Sequence, residues 1–587
     1  MVDYGAFERA IGLNWYTVDP NLQALMDRLL DPADREWAEG HLLRIGALCG
    51  GPIAERAETV DKNPPRLERY DRWGKEVYRI VHHPAAIAAK RDAWEAGISG
   101  PRLRREAERR GRPFPAVMTA ALNYLTCQAD TGLMCAIGMT SGVVGLVERF
   151  APPEVRERLL ARLTADRFED AWDGAMFMTE QSGGSDLGTI TTTARQSAGG
   201  WRLTGSKWFC SNIDAGAIAT LARPEGAPAG LKGVALFVVP RTRADGSPNG
   251  ILMRRLKDKL GTRTVPTGEV DFVDAEAHLL AGSDGNGGAL DGRGINRMME
   301  MVNPSRFGVA CMGLGLMRRA FLEASIYAAR REAFGSRLAD LPLVRETLVR
   351  MLVDLEAAAA LVFASGAAID RRDGSLARLL VPLAKFRATR RGIDLTSAAV
   401  EMHGGNGYVE DWPTARLLRE AQCHTIWEGT ENIICLDVLR ALRAEGVAQA
   451  ILARVGAASR SDGTALLDPP RRLLASAAAR VERLVTSVAT ADRTAAEYRA
   501  RRLSTSLCDL VQGALLLEEA AWELRTRSSA RKAVVAGLFI TRYLTDDPDA
   551  AVALEEHACT TCFAPLSRYG TIAPATAGTA PRIDQHA

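Results

Sequence analysis

The spacing of apolar and polar side chains changes twice along the chain, and the spacing in each region predicts helices or strands. Over residues 1–172, apolar side chains recur every three or four positions, which is the period of one face of a helix. The positions that show this spacing are Leu22, Leu25, Met26, Leu29, Val143, Val144 and Leu146. This region is therefore predicted to be an N-terminal helical domain.

From residue 173 to residue 288 the period shortens to two. Residues 201–204 and 269–272 alternate as half-buried strands do, and the apolar run 234–239 ends at Pro240. Glycine-rich stretches separate these runs and are typical of turns. The pattern predicts a small middle β domain.

Helical spacing returns at residue 289 and continues toward the end of the chain. It predicts a helical bundle over 289–443, interrupted by a glycine-rich break at 404–407, and an additional Ala- and Arg-rich C-terminal helical domain over 444–587. The predicted fold class is therefore α+β, with a middle β domain between helical domains and an extra helical domain at the C-terminus.

Composition excludes several classes of protein. Hydrophobic residues make up 47% and charged residues 25%, which is ordinary globular usage. The net charge of +3 gives no large field to attract nucleic acid or a membrane. We find no unbroken apolar run near the ~20 residues of a membrane helix, and the start of the chain does not resemble a signal peptide. The ten cysteines lack the spacing of a disulfide framework, so a cytoplasmic protein with reduced thiols is predicted. The charge and the absence of a long apolar run predict no membrane partner.

Two segments of the β domain carry candidate chemistry, MTEQSGGSD at 178–186 and GSKWFCSN at 205–212. Paired glycines let the backbone approach a ligand, and hydroxyl and N–H groups can hold phosphate or the polar edge of a ring. An aromatic side chain beside a hydroxyl can cover a flat ring and bond its edge. Taken separately, an ordinary turn and a pair of core aromatics are the more common interpretations.

Together the two segments resemble the flavin motifs of the acyl-CoA dehydrogenase family, which implies FAD as cofactor. In that family the second motif is Lys-x-Trp-x-Thr-Asn, whose Trp covers the isoalloxazine and whose Thr bonds near flavin N5. Phe209 stands here for the Trp and Ser211 for the Thr, while Thr179 would bond the ring and Ser185 the pyrophosphate. The β-domain residues assigned to the cofactor are Met176, Met178, Thr179, Ser185, Phe209, Cys210 and Ser211.

The resemblance continues into the predicted bundle. REAFG at 331–335 is similar to the family's Arg-x-x-Phe-Gly, and EMHGGNGY at 401–408 to its Gly-Gly-Asn-Gly segment; both reach the FAD of a neighbouring subunit in that family. A guanidinium suits pyrophosphate because its contact is planar and permanently charged, although a lone Arg on a helix is more often solvated. A homo-oligomer, the family's tetramer, is therefore implied. The residues assigned to this contact are Arg331, Phe334, Gly404 and Gly405.

The segment IWEGTENI at 426–433 is similar to the family's catalytic segment, which implies that Glu428 is the base. Removing the weakly acidic α-proton of a thioester needs a carboxylate whose basicity is raised by a dry pocket, and Ile426 and Trp427 are suitable neighbours. The alternative is a glutamate that caps a helix. The residues of this segment assigned to the cofactor are Ile426, Trp427, Gly429, Thr430 and Asn432.

A second position for the base occurs in isovaleryl- and long-chain-type members, directly before an Arg. The matching stretch here is NPSR at 303–306, with Ser305 in place of that Glu. Arg306 matches, and the resemblance implies that it supports the catalytic site electrostatically. The family's Asp three residues before the Arg is Asn303 here, which leaves the requirement for CoA open.

Two further segments, NPPRLERYD at 63–71 and RLKDKLG at 255–261, resemble the AidB-like subgroup of the family. That subgroup is tied to the bacterial response to DNA alkylation, and its namesake binds double-stranded DNA through a basic C-terminal surface. The region from 441 onward is nearly neutral, with 18 Lys or Arg and 16 Asp or Glu, although arginines cluster at 499–502 and 525–532. DNA is a possible partner but is not the favoured one.

The sequence therefore predicts an FAD-dependent acyl-CoA dehydrogenase, with an electron-transfer flavoprotein as the implied electron acceptor. The competing hypothesis is an AidB-type flavoprotein that binds duplex DNA with little or no turnover, and an acyl-CoA oxidase is a third. Acyl chain length and branching stay open. No metal site is predicted, because His557 and the CxxC at 559–562 lack a second ligand pair.

Overall fold

The computed structural model describes residues 1–197, 200–281, 291–460, 464–545 and 547–579. The predicted boundary between 288 and 289 lies outside the described residues. The helices are α1 (Pro20–Leu29), α2 (Pro32–Leu48), α3 (Ala54–Lys62), α4 (Pro84–Ala96), α5 (Arg102–Arg109), α6 (Ala116–Ala129), α7 (Thr131–Phe150), α8 (Pro153–Leu163), α9 (Gly294–Arg330), α10 (Pro342–Asp370), α11 (Gly374–Met402), α12 (Pro413–His424), α13 (Glu431–Leu442), α14 (Val447–Arg460), α15 (Asp468–Ala489), α16 (Arg493–Arg527), α17 (Arg531–Leu544), α18 (Pro548–Thr560), α19 (Phe563–Ser567) and α20 (Pro574–Ala577). The strands are β1 (Arg66–Tyr70), β2 (Glu76–Val81), β3 (Gly174–Phe177), β4 (Thr193–Ser197), β5 (Gly200–Ser211), β6 (Ala217–Pro224), β7 (Ala235–Pro240), β8 (Ile251–Leu256), β9 (Thr267–Leu279), β10 (Glu332–Ala333) and β11 (Ser336–Arg337).

The chain folds into two compact units, and neither is a single stretch of sequence. The first, which we call the bundle unit, comprises residues 1–51, 115–128 and 309–587. The second, the sheet unit, comprises residues 52–114 and 129–308. The four-domain division stays a prediction, whereas the α+β fold class, with helical, β and further helical regions, is confirmed.

The sheet unit is built around a seven-stranded sheet in the order β3-β6-β4-β5-β9-β7, with β8 paired to β9. β5 and β9 are long antiparallel partners, in which Ser206 lies opposite Asp271. Alternate residues enter a core that includes Phe177, Phe237 and Phe272, which is why these strands show a two-residue period in sequence.

A β-hairpin formed by β1 and β2 lies inside the region predicted to be helical. Its strands follow Pro64 and Pro65, where a helix cannot continue, and Gly74 has a positive φ of 81° in the turn between them. Leu67 and Ile80 pack against the core of the sheet. The prediction missed the hairpin because both strands are short and β1 is mostly charged.

The bundle unit contains the long helices α10 and α11, on which α12, α13 and the helices after residue 444 pack. α10 begins at Pro342, and Asp373 caps α11 by accepting a hydrogen bond from the Leu376 N–H. One charged cluster between α10 and the C-terminal helices is buried, in which Glu356 binds Arg531 and Lys532. The C-terminal region is therefore part of this unit's core.

Two helices of the described chain, α7 and α10, are long and apolar enough to cross a membrane. Most of their apolar windows is buried inside the protein, 67% for α7 and 89% for α10. Both helices therefore have the burial of core helices.

Candidate active site

In the sheet unit, the first flavin motif begins at the end of β3. Ala175 and Phe177 enter the core, so Met176 and Met178 lie on the other side of the chain and are half-buried. Thr179 follows them, and its hydroxyl occupies the space in front of Gly184, where a Cβ would lie 2.5 Å from Thr179 Oγ1. The glycine is therefore required for this loop to close over Thr179.

An ion pair joins the two motifs of the sheet unit. Lys207 Nζ donates to Glu180 Oε1 at 2.8 Å, and both side chains are buried. The backbone N–H and hydroxyl groups of Thr191 and Thr192 also donate to the Glu180 carboxylate. Burial alone would raise the pKa of Glu180, but Lys207 and these hydrogen bonds lower it to about 2. The pair therefore holds the motif segments in place.

The second motif lies on β5, where alternation separates its side chains. Phe209 is 55% exposed. The hydroxyl oxygen of Ser211 lies 3.0 Å from the hydroxyl oxygen of Thr267. Cys210 between them points into the core of the sheet, and burial raises the pKa of its thiol. Only the backbone of Cys210 is therefore available to a ligand on the Phe209 side.

Two more predicted residues of the sheet unit differ in exposure. Ser185 is exposed in the loop after β3, where its hydroxyl is accessible to a phosphate. Arg306 is only 6% exposed on α9, so its charge is held inside the protein. Lys257 Nζ lies 3.7 Å from the ring centroid of Trp208 and 4.7 Å from that of Phe209, a cation that the sequence interpretation did not assign.

In the bundle unit, the predicted catalytic segment is the loop between α12 and α13, which we call the Glu428 loop (residues 425–430). Glu428 has a φ of +57° and Gly429 a φ of +107°, so two successive residues lie in the left-handed region. Oε2 of Glu428 is buried. α13 begins after Thr430, so Glu428 is not the residue that caps this helix.

Aromatic rings line one side of the Glu428 loop. The Trp427 indole stacks on the His424 ring, with centroids 5.5 Å apart and an angle of 12° between the planes. Burial, assisted by the positive charge of Lys385, lowers the pKa of His424 to about 3, so this ring is neutral at ordinary pH. Ile426 is 63% exposed. Glu428 therefore follows one half-buried and one exposed apolar side chain, and its role as the base stays a prediction.

Two cations of α11 hold the chain just after Glu428. Lys385 Nζ of α11 donates to the Gly429 carbonyl at 2.5 Å, and Lys385 itself is 1% exposed. Arg390 Nε, also of α11, donates to Glu431 Oε2 at 3.0 Å. Sequence reasoning missed both residues; the only signal was a lysine at a buried position of an otherwise apolar helical stripe.

The two segments that the resemblance assigned to a second subunit are exposed in the bundle unit. Phe334 is 93% exposed, and both Phe334 and Gly335 have positive φ in the tight turn between β10 and β11. Gly404 and Gly405 lie at the surface, and a Cβ added to either would meet nothing within 4 Å. Arg331, just before β10, is exposed as well.

Four family models match successive parts of the chain. They are the AidB N-terminal domain of adaptive response proteins (7–170), the acyl-CoA dehydrogenase middle domain (175–275), the acyl-CoA dehydrogenase C-terminal domain (292–443) and an acyl-CoA dehydrogenase 11 C-terminal domain-like model (448–547). The putative acyl-CoA dehydrogenase AidB of Escherichia coli is 35% identical over 457 residues, which cover 75% of this chain and 80% of that protein. The chain belongs to the acyl-CoA dehydrogenase family.

A further relative comes from Caenorhabditis elegans. Acyl-CoA dehydrogenase family member 11 of Caenorhabditis elegans is 30% identical over 445 residues, covering 73% of this chain and 70% of the relative. The crystal structure of C. elegans ACDH-11 in complex with C11-CoA superposes with a TM-score of 0.83 and 27% identity, over 93% of this chain and 94% of that one. The predictions of an AidB-like acyl-CoA dehydrogenase and of FAD as its cofactor are thereby confirmed.

The residues present in this family member fit FAD. Large apolar side chains are exposed at three of the assigned positions, Phe209, Phe334 and Ile426, where a flat aromatic ligand or a second subunit would cover them. Open space lies in front of Gly404 and Gly405, and the motif hydroxyls of the sheet unit are accessible. The donor set thus suits a ligand that has both a ring system and phosphates.

The arginine clusters differ from the surface patch that the sequence suggested. Arg531 and Lys532 are buried, with their charges paired to Glu356 and, for Lys532, also to Glu519. Arg501 contacts Glu431 at the start of α13. Arg531 and Lys532 therefore lie in the protein interior, whereas Arg499, Arg502, Arg525 and Arg527 are exposed, and DNA binding by the clusters stays a hypothesis.

No group of three or more His, Cys, Asp or Glu side chains is placed to hold a metal ion among the described residues. The closest arrangement that the sequence offered, His557 with the CxxC, has Nε2 of His557 3.8 Å from Sγ of Cys562.

Proposed function

We propose that this protein oxidises an acyl-CoA thioester to the trans-2-enoyl thioester, with Glu428 as the base that removes the α-proton. The observation that carries the proposal is the Glu428 carboxylate itself. A left-handed backbone presents it on a loop directly after Ile426 and Trp427, and one of its oxygens is buried. Non-glycine residues in this conformation cost about 1–3 kcal/mol and cluster at functional sites.

The surroundings of Glu428 suit proton abstraction. A carboxylate taken out of water becomes a stronger base, and apolar neighbours exclude the water that would otherwise compete for the proton. The neutral His424 ring behind Trp427 adds no positive charge that would weaken this base. Arg306 is the residue to which we assign electrostatic support, and Glu428 holds the proton after transfer.

FAD, when bound, would supply the acceptor for the hydride that leaves the β-carbon. Met176, Met178, Thr179, Phe209 and Ser211 would hold its ring, with Ser185 at the pyrophosphate. The tight turn that carries Arg331 and Phe334 would reach the FAD of a second copy, as would Gly404 and Gly405. This sharing is the reason to propose a homotetramer.

The substrate and the partners are part of the same proposal. The C. elegans relative is described in complex with C11-CoA, so a straight-chain thioester of that length is the first compound to test. An electron-transfer flavoprotein is the proposed electron acceptor, and the cytoplasm is the proposed location.

The test is an anaerobic titration of the purified holoenzyme with acyl-CoAs of varied length and branching, followed at the flavin absorption band. We expect one class to bleach the band, and Glu428→Gln to lower the rate of bleaching by about 10²–10⁴-fold, the usual contribution of a general base. Glu445→Gln, an exposed carboxylate beyond α13, is the matched control and should leave the rate unchanged.

Failure of every thioester to bleach a protein that retains FAD would contradict this proposal. DNA binding by the AidB-like branch would then be the next hypothesis, tested as duplex affinity against salt concentration. A wild-type rate in Glu428→Gln would contradict the assignment of the base alone.

A further inference from the structure

Arg501 of α16, in the additional C-terminal helical region, contacts the start of α13 directly after the Glu428 loop. Arg501 forms an ion pair with Glu431 through one guanidinium nitrogen, Nη1. Its other terminal nitrogen, Nη2, donates to Oδ1 of Asn432 at 2.5 Å. The two acceptors are successive residues, so a single planar guanidinium contacts both.

Glu431 is held from a second direction as well. Arg390 of α11 donates to Oε2 of Glu431, while Arg501 binds Oε1. The carboxylate therefore joins a helix of the family bundle to a helix of the C-terminal region. Glu431 begins α13, and Asp or Glu is favoured there because the helix dipole is positive at its N-terminus.

The contact with Asn432 fixes the direction of an amide. Because Oδ1 of Asn432 accepts from Arg501, the Nδ2 donor points the other way. Asn432 is among the residues assigned to the cofactor, and an N–H donor is what the carbonyl and nitrogen edge of a flavin accepts. Without the guanidinium, this amide is able to rotate and present either end.

The strained backbone explains why such a contact is needed. Glu428 and Gly429 both have positive φ, and a loop of this kind keeps its conformation only where its surroundings hold it. Lys385 holds the Gly429 carbonyl, and the pair of arginines holds the next residues. A single exposed ion pair contributes little, but here one guanidinium joins a network of three groups.

We propose that Arg501 is a positioning residue of the active site, through which the C-terminal helical region holds Glu431 and orients the Asn432 amide toward FAD. The proposal rests on the proposed function in assigning the adjoining loop to catalysis. It gives the C-terminal region a role in dehydrogenation. It also assigns Arg501 to an internal contact, although this arginine would otherwise be a candidate for binding DNA phosphate.

The experiment compares Arg501→Ala with Arg502→Ala, the neighbouring exposed arginine of the same helix. Three quantities are measured on each holoenzyme: amide hydrogen exchange of residues 426–433, the dissociation constant of FAD, and the kcat and KM for an acyl-CoA. In Arg501→Ala we expect exchange in this segment about tenfold faster, FAD bound about tenfold more weakly, and kcat about tenfold lower with KM little changed, as loss of a charge-assisted contact of about 1.4 kcal/mol would give. Arg502→Ala should match the wild type in all three.

Two further variants separate positioning from general stability. Arg501→Lys keeps the charge opposite Glu431, so it should recover most of the exchange protection. Adding Arg501→Ala to Glu431→Gln should change the exchange rate, the FAD dissociation constant and kcat by much less than another tenfold, because both substitutions remove the same contact.

Wild-type exchange of residues 426–433 in Arg501→Ala would overturn the proposal, as would equal losses in Arg501→Ala and Arg502→Ala. If the wild type oxidises no acyl-CoA, the proposed function is wrong. In that case the exchange and FAD measurements still decide whether Arg501 positions the loop.

Discussion

Replacing Glu180 by Gln tests the ion pair that joins the two flavin motifs. Glu180 follows Thr179 in the first motif, and its partner Lys207 precedes Trp208 in the second. A backbone hydrogen bond from the Trp208 N–H to the Thr179 carbonyl, 2.8 Å long, runs beside the pair. The substitution keeps the shape of the side chain but removes its charge, and it places an amide donor where Thr191 and Lys207 also donate.

The size of the effect follows from two independent considerations. The pKa of Glu180 falls from 4.5 to about 2 on folding, which corresponds to about 3 kcal/mol of stabilisation at neutral pH. Removing one partner of a buried ion pair costs roughly 3–5 kcal/mol. We therefore expect Glu180→Gln to lower the free energy of unfolding by about 3 kcal/mol or more.

Thermal unfolding of the holoenzyme measures this loss. For a cooperative unit of the size of the sheet unit, the midpoint changes by about 2–4 °C per kcal/mol, so the midpoint of its transition should fall by roughly 6–12 °C at neutral pH. The FAD dissociation constant should rise because Thr179 and Phe209 flank the pair. The folded pKa lies below the unfolded one, so the stabilisation is present above about pH 4.5 and is lost as the pH falls toward 2. The difference between wild type and variant should therefore shrink in that window.

Gln181→Ala, at the exposed neighbouring position, is the control and should shift the midpoint by no more than about 1–2 °C. An unchanged midpoint in Glu180→Gln would refute the assignment of a structural role to this carboxylate. A difference between wild type and variant that stays constant below pH 4.5 would refute the low pKa.

Two other substitutions test the structure at a distance from that pair. Gly184→Ala places a Cβ 2.5 Å from Thr179 Oγ1, so we expect FAD to bind at least about tenfold more weakly, as measured by flavin fluorescence; Gly145→Ala, in open space on α7, should bind FAD as the wild type does, and equal affinity in both variants would contradict the steric argument. Glu356→Gln removes a buried negative charge that Arg531 and Lys532 share, so we expect the free energy of unfolding, measured with a chemical denaturant, to fall by about 3–5 kcal/mol. Glu346→Gln, at a more exposed position of α10, should cost less than about 1 kcal/mol, and a similar cost in both would show that the buried cluster contributes no more than a surface pair.

The local patterns that predicted the fold are those that burial imposes on neighbouring residues. The alternation at 201–204 and 269–272 became β5 and β9 because one face of each strand enters the sheet core. The hairpin of β1 and β2 was missed. Arg66, Glu68 and Arg69 leave β1 with little apolar signal, whereas β2 (EVYRIV) carries a strand signal that the prediction of a helical region did not use.

The site was predicted as segments, and the contacts between segments were not. Glu180 and Lys207 were quoted within ligand motifs, yet they bind each other across 27 positions. The run that ends in Arg531 and Lys532 was interpreted as a surface cluster. The acids that pair with these two cations, Glu356 and Glu519, come from other helices, so the sequence run alone did not indicate them. Sequence spacing carries no signal for pairings that depend on how helices pack.

The charged contacts of the bundle unit also show how the C-terminal region is attached to the rest of that unit. A module appended for DNA binding would keep its basic residues on its own surface, and its contact with the bundle would be mainly apolar or weakly polar. α16 and α17 direct Arg501, Arg531 and Lys532 to acids of α13 and α10, while other arginines of α16, such as Arg499 and Arg502, stay exposed. Two of those contacts are buried, where a cation without its partner would be costly, so separation of the region from the bundle is strongly opposed. The C-terminal helices are therefore a structural part of the bundle unit, and their effect on turnover is the property to measure first.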